Sequence, residues 1–182
     1  MVTCQPSKKR PNNATWLPDD IEVCPWKLAI DTREQTPWTF QEMVLGQKQI
    51  IVQRETKTMV TGDYSIVGYE KDIVIERKSA ADFLGSIGSG HARFQREHER
   101  LRAIVENGGY ACVIIEGDLA SICDELDNPD SGRRITSSLA KSLTSKWPRT
   151  YRVPWIFAGD RRRAEEVGFL TLWNWWKDQQ NI

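Results

Sequence analysis

The stretch TGDYSIVGYEKDIVIERKSAADFLGSI, residues 61–87, decides the fold. Gly62 marks a turn before the apolar run DYSIV, and Gly68 marks another before DIVIERK, so two short strands are expected in a hairpin-like series. Period-2 alternation in the second places Val74, Glu76 and Lys78 on one side and Ile73, Ile75 and Arg77 on the other. Ser79-Ala80-Ala81-Asp82 has the form of a capping box, which starts a helix through Leu84 and Ile87 that the glycines of GSIGSG interrupt.

Upstream, KLAID reads as a short buried strand from Lys27, and QIIVQRE as a second. Residues 1–26 carry Pro6, Pro11, Pro18 and Pro25 with little periodicity, and are expected to be a tail or loosely docked arm. Downstream, a helix is expected over His91–Glu106: Phe94, Leu101 and Val105 make its apolar stripe, while Arg93, Arg96 and Arg100 gather on another face. YACVIIEG has the length and composition of a central strand. An acidic loop then leads to a helix over Arg134–Lys146, a strand near VPWIF, and a last helix from Asp160 with Phe169, Leu172, Trp173 and Trp176 as its stripe. Trp175 falls off that stripe. The order is mixed α/β, strands first as a meander and then alternating with helices.

The chain has 182 residues, with 25 Lys+Arg against 25 Asp+Glu. This length supports one domain, residues 27–182, with its own core. No run approaches a membrane span and the amino end lacks an apolar signal core, so an intracellular setting is expected, with no membrane partner. Zero net charge argues against a uniformly basic coat, yet residues 116–130 hold six acids and no base, while residues 131–163 hold nine bases against Asp160. That second segment, which includes Arg133 and Arg134, is a candidate phosphate-binding surface; a solvated basic face is the ordinary alternative. The four cysteines form no ligand set, and Cys112 is expected as a buried thiol. His98 lies in the apolar stripe of its helix and is expected as a hydrogen-bonded core residue. GSIGSG lacks the strand-to-helix setting of a dinucleotide fingerprint, so no nucleotide cofactor is expected.

Asp31, Asp63 and Glu76 sit at the ends of expected strands or turns, where distant residues meet. A carboxylate two positions from a lysine, with another carboxylate one strand earlier, is the set that metal-assisted phosphodiester hydrolysis needs. Each residue also has an ordinary use: Asp63 in a turn, Asp82 in a cap, Glu76 and Lys78 as an ion pair worth roughly 0–1 kcal/mol at a surface.

The strings LAIDTREQ, TGDYSIVG, DIVIERKSAADFLGSI and ARF resemble the nuclease domain of the XPF family of structure-selective endonucleases. The family signature reads here as Gly62-Asp63, a twelve-residue spacer, Glu76-Arg77-Lys78 and, after three residues, Asp82, preceded by Asp31-Thr32-Arg33-Glu34. The resemblance implies a restriction-endonuclease-like fold, a central mixed sheet flanked by helices, and Mg2+ or Mn2+ as cofactor. It implies Asp63 and Glu76 as metal carboxylates, the Arg77 carbonyl and Asp31 as further metal groups, and Lys78 as catalytic lysine. Arg33, Glu34, Arg77 and Asp82 would form the surrounding catalytic network, and Arg93 a DNA contact, with Glu97 where the family usually has glutamine.

The activity so implied is endonucleolytic cleavage of branched, flap or junction DNA, in repair or recombination, leaving a 5′-phosphate and a 3′-hydroxyl. The alternatives are a non-catalytic nuclease-like subunit, and a phage or restriction-type nuclease of the same fold. Family members usually append helix-hairpin-helix motifs that bind DNA and dimerise; with none expected here, affinity would come from the nuclease surface, including Arg93, Arg96, Arg100, Arg133 and Arg134, from a homodimer, or from a separate subunit.

Overall fold

The computed structural model describes residues 20–180. Seven strands form one sheet: β1 (Asp20–Asp31), β2 (Met43–Leu45), β3 (Lys48–Lys57), β4 (Tyr64–Ile66), β5 (Ile73–Ser79), β6 (Tyr110–Glu116) and β7 (Trp155–Phe157). Five helices accompany them: α1 (Ala80–Ile87), α2 (His91–Glu106), α3 (Leu119–Asp127), α4 (Ser137–Tyr151) and α5 (Arg161–Gln180). The strand order is β2-β3-β1-β4-β5-β6-β7. β1 runs parallel to β3 and antiparallel to β4, β4 is antiparallel to β5, and β5, β6 and β7 are parallel. The β5–β6 and β6–β7 links are helical crossovers, whereas β1 reaches its parallel neighbour β3 through the 32–47 connection, which carries β2 and no helix.

Helix–strand alternation follows the first five strands as expected, but these do not form the expected meander, because β1 lies between β3 and β4 and runs parallel to β3. There are three further differences. β1 begins at Asp20 rather than near Lys27, so residues 20–26 are strand and not arm; the rest of the expected arm, residues 1–19, lies outside the described residues. Pro25 is tolerated there because the ladder slips: Val23 faces Ile51 and Lys27 faces Gln53, leaving Cys24, Pro25 and Trp26 against Val52 alone. A bulge needs no ladder donor from proline. The acidic stretch expected as loop contains α3, capped by the Asp118 carboxylate accepting from the Ser121 amide at 2.8 Å. Finally, α4 starts at Ser137, behind the Thr136 cap, so Arg133 and Arg134 precede it.

Both faces of the sheet are covered, giving two cores. One unites Ala29, Val74, Val113 and Ile115 with Phe83, Leu84, Phe94 and Leu101 of α1 and α2 and Ala140, Leu143 and Trp147 of α4. The other unites Leu28, Ile30, Ile73, Ile75 and Ile114 with Trp38, Phe40 and Tyr64 and with Phe169 and Leu172 of α5. Tyr64 stacks on Trp38 at 4.7 Å between ring centroids. Gly168 permits the close approach of α5, since a Cβ there would lie 2.8 Å from the Trp38 ring. Glu165 of α5 accepts from the Thr39 and Phe40 amides, fixing the 32–40 connection against the helix.

His98 is fully buried, Nδ1 bonding the Phe94 carbonyl and Nε2 accepting from the Trp155 indole at 2.7 Å. Burial pushes its pKa down to about 4. Cys24, Cys112 and Cys123 are buried free thiols. Trp175 is half-buried, edge-on to Tyr69. Among the described residues, no helix is long and apolar enough to cross a membrane.

Candidate active site

The signature converges where β4 begins and β5 ends. Gly62 has φ +74°, and a Cβ there would fall 2.0 Å from Val74 Cγ1, so only glycine lets the chain turn this close to β5. The next residue, Asp63, is held by three backbone links: its amide donates to the Ile75 carbonyl, its carbonyl accepts from the Asp31 amide, and its carboxylate Oδ2 accepts from the Arg77 amide at 2.7 Å. The Asp63 carboxylate is thereby set beside the last residues of β5.

β5 divides its side chains as alternation demands. Glu76 and Lys78 face α2, and both are more than nine-tenths buried. Lys78 Nζ lies 2.6 Å from Glu76 Oε1 and 2.8 Å from Glu97 Oε1 of α2, and 5.4 Å from the Phe94 ring centroid. Arg77 faces the opposite way and meets Glu116 at the end of β6 through two parallel bonds of 2.7 and 2.9 Å, and Glu34 at 3.0 Å. Glu116 also accepts from the Trp38 indole at 2.8 Å.

Asp63, Glu76 and Lys78 open on a cleft of about 910 Å3, walled by Arg33–Thr36, Val60–Thr61, the α1 residues Ala81, Asp82 and Gly85, and a face of α2. Gly90, the cap of α2, and Arg93, Phe94, Glu97 and Arg100 form that face, at positions i, i+3, i+4, i+7 and i+10. The arginine face expected as Arg93, Arg96 and Arg100 is thus rotated: Arg96 is exposed but does not line the cleft, and Glu97 takes the central place.

The electrostatics are those of acids crowded out of water. Burial, opposed by the Arg77 amide, pushes the Asp63 pKa up to about 6. Burial and the neighbouring Asp63 charge raise Glu76 well above the usual carboxylate range. Burial acts against the Lys78 ammonium, but Glu76 and Glu97 outweigh it and hold the group charged beyond the ordinary lysine range. Two facing carboxylates that resist losing their protons are a site short of positive charge.

Asp31, expected as a further acidic group near the metal, is engaged by neighbouring donors. Its carboxylate accepts from the Arg33 amide and guanidinium at 2.8, 2.6 and 3.0 Å and from the Met59 amide at 2.7 Å, and it does not line the cleft. Burial alone would raise its pKa, yet these donors hold it below the usual value. Asp31 is a clasp: with Arg33 Nη2 donating to the Met59 carbonyl, it pins the connection that carries Val60, Thr61 and Gly62. Arg33 itself reaches the cleft wall. Glu34 and Arg77 pair as a network, with the Arg77 side chain on the far face of the sheet from Lys78. Asp82 is an exposed cleft residue engaged in the cap, its amide donating to Ser79 Oγ and its carboxylate accepting from the same hydroxyl.

The basic segment is less free than its sequence implies. Arg133 is paired with Glu125, Arg161 with Glu116 and the Thr36 and Pro37 carbonyls, Arg162 with Glu166 and Arg163 with Asp160. Arg134 is exposed.

Sequence reading assigned no role to Glu97 or Glu116. Glu97 carried a signal, an acid at helical spacing between Arg93 and Arg100. Glu116 carried another, an acid closing the strand beside the one that ends in Glu-Arg-Lys.

Among the described residues no three carboxylate, imidazole or thiol side chains converge as a self-sufficient metal set. The donors present suit a hard cation that keeps much of its water: two carboxylates, Asp63 and Glu76, and the Arg77 carbonyl. In an antiparallel pairing a residue's amide and carbonyl share one side of the strand. Arg77, whose amide reaches Asp63, therefore turns its carbonyl toward Asp63 as well.

The ERCC4 domain matches residues 30–164. XPF from Aeropyrum pernix is similar in structure, with a TM-score of 0.52 and 20% identity over 80% of this chain and 58% of that one. XPF from Aeropyrum pernix in complex with DNA gives a TM-score of 0.55 and 20% identity over 85% of this chain and 66% of that one. The chain therefore spans less than two thirds of either. No curated protein sequence matches it. Glycine-aspartate and glutamate-arginine-lysine brought together at one cleft, on a seven-stranded mixed sheet of XPF nuclease type, place this chain in the ERCC4 domain family.

Proposed function

We propose that the protein is a divalent-metal-dependent DNA endonuclease that hydrolyses phosphodiester bonds in branched, flap or single-strand/duplex junction DNA, as arises in repair and recombination. The observation that carries this reading is the meeting of Asp63, Glu76 and Lys78 in one open cleft. Asp63, Glu76 and the Arg77 carbonyl would hold Mg2+ or Mn2+. Such a cation, when bound, would lower the pKa of a water it holds and offset charge on a phosphate. Lys78, held by Glu76 and Glu97, presents a fixed ammonium to the same place, where it orients water and balances charge at the scissile phosphate. Arg33, Arg93 and Arg100 border the cleft where flanking phosphates would lie, as positioning contacts without sequence preference. The similarity to XPF from Aeropyrum pernix solved in complex with DNA supports DNA as the polymer bound.

The test is cleavage of a panel of flap, fork, nicked, single-stranded and linear duplex DNA with Mg2+ or Mn2+, beside Glu76→Ala and Lys78→Ala. Cleavage by the parent and its loss in both folded variants is expected. A folded Glu76→Ala that cuts at the parental rate removes the assignment.

A further inference from the structure

Resting on that nuclease reading, we propose that Glu97 is a positioning residue, the anion that keeps the Lys78 ammonium in the cleft when Glu76 turns to the cation. Lys78 Nζ sits between two carboxylates, 2.6 Å from Glu76 and 2.8 Å from Glu97. The first contact meets the geometry of a hydrogen bond, and the second is a close ion pair that gives the buried Glu97 Oε1 its counter-charge. Glu76 cannot serve a cation and anchor the lysine equally. An ammonium whose sole anion has been taken by a divalent ion next to it would be repelled toward solvent; one with a second carboxylate behind it stays.

Glu97 is built for that second anchorage. It is 94% buried, on the α2 turn that follows Phe94, whose ring lies beneath the same ammonium. Its helix is locked to the sheet by the His98–Trp155 bond and the Phe94 packing, so the carboxylate cannot follow the lysine outward. The nearest charged partner of Glu97 is the Lys78 ammonium at 2.8 Å, the contact through which it would act.

The experiment compares the parent, Glu97→Gln, Lys78→Met and the double variant, each checked for a cooperative thermal transition. Two readouts are taken: single-turnover cleavage across a Mg2+ titration, and calorimetric Ca2+ binding without DNA. In Glu97→Gln, the rate at saturating Mg2+ should fall by roughly 100-fold, the order that a displacement of about 1 Å costs, with DNA affinity unchanged and no recovery at higher Mg2+. Ca2+ affinity should respond to Glu97→Gln more strongly in the parent than in the Lys78→Met background. Recovery of the rate by added Mg2+, or an equal loss of Ca2+ affinity in both backgrounds, would make Glu97 a ligand and overturn the proposal, as would a parental rate in Glu97→Gln. If Lys78→Met does not fold, the Mg2+ titration decides alone; if Glu97→Gln does not fold, Glu97→Asp, which keeps the charge and shortens its reach, should show the same unrescued loss. A parent that cuts no DNA under any cation refutes the nuclease reading instead, and the Ca2+ binding cycle still reports on Glu97.

Discussion

The Asp63 carboxylate accepts the Arg77 amide at 2.7 Å, a bond that fastens the start of β4 to the end of β5. It works only because the preceding residue has no side chain. In Gly62→Ala the new methyl would enter the volume of Val74 Cγ1, 2.0 Å away, with the backbone at φ +74°. Strain and overpacking together should cost about 2–4 kcal/mol. Urea unfolding measures it, and a variant as stable as the parent would show that the turn is not fixed by this contact.

Arg77 is expected to act as a brace. Its guanidinium forks onto Glu116 and reaches Glu34 with 11% of its side chain exposed; burial acts against the charge, but Glu116 and Glu34 outweigh it and hold the pKa above the ordinary arginine value. Lysine cannot reproduce two parallel bonds. Glu116→Gln should destabilise by up to roughly 3–5 kcal/mol, the cost of removing one partner of a buried ion pair, and Arg77→Lys by less, since lysine keeps the charge and loses only the fork. Loss of DNA binding in Arg77→Lys with unchanged stability would instead make Arg77 a phosphate contact.

What the sequence disclosed and what it hid follow from how local each signal is. The ends of α2 and the faces of β5 were legible because each depends on periodicity within one element. Asp63, Glu76 and Lys78 were legible as a set because the ends of neighbouring strands bring distant residues together. The clasp by which Asp31 is consumed was not, since it depends on Met59, 28 residues away. Nor was α3, whose buried Ile122, Cys123 and Leu126 are diluted by acids on its outer face. The pairing of the basic segment was hidden for the same reason: Glu116, Glu125 and Glu166 come to these arginines through tertiary packing or helical spacing that net charge does not reveal.

The crowded acids should show in the pH dependence of the metal-free protein. Asp63 titrates near 6 in the folded state, above its unfolded value of about 3.9. From about pH 4 to pH 6 the folded state therefore holds a proton that the unfolded chain has released, and stability falls as pH rises. Glu76 adds in the same direction. His98 opposes them, since its folded pKa of about 4 lies below its unfolded value near 6.5, so its contribution is lost as pH falls through that range. Asp63→Asn separates the two effects, because asparagine can still accept the Arg77 amide while removing the charge. In EDTA the variant should be more stable than the parent at pH 7, by up to about 3 kcal/mol, and the gain should shrink toward pH 4. A gain independent of pH would show that the two acids do not strain the empty cleft.

DNA affinity should divide the arginines by what already holds them. Arg93 and Arg100 lie along the cleft, four residues before and three residues after Glu97, so a backbone crossing the site would meet both. Arg133 faces Glu125 at 2.8–2.9 Å, and a phosphate there must first displace a carboxylate. Replacing Arg93 or Arg100 by Gln should lower the slope of log affinity against log salt by roughly 0.7–0.9, the release expected per phosphate. Arg133→Gln should leave it nearly unchanged. Anisotropy titrations of a labelled junction DNA in Ca2+, from low to moderate salt, read these slopes directly. If Arg133→Gln flattens the dependence as much as Arg93→Gln does, the DNA path extends past α3, and the cleft is one contact among several on a broader basic surface.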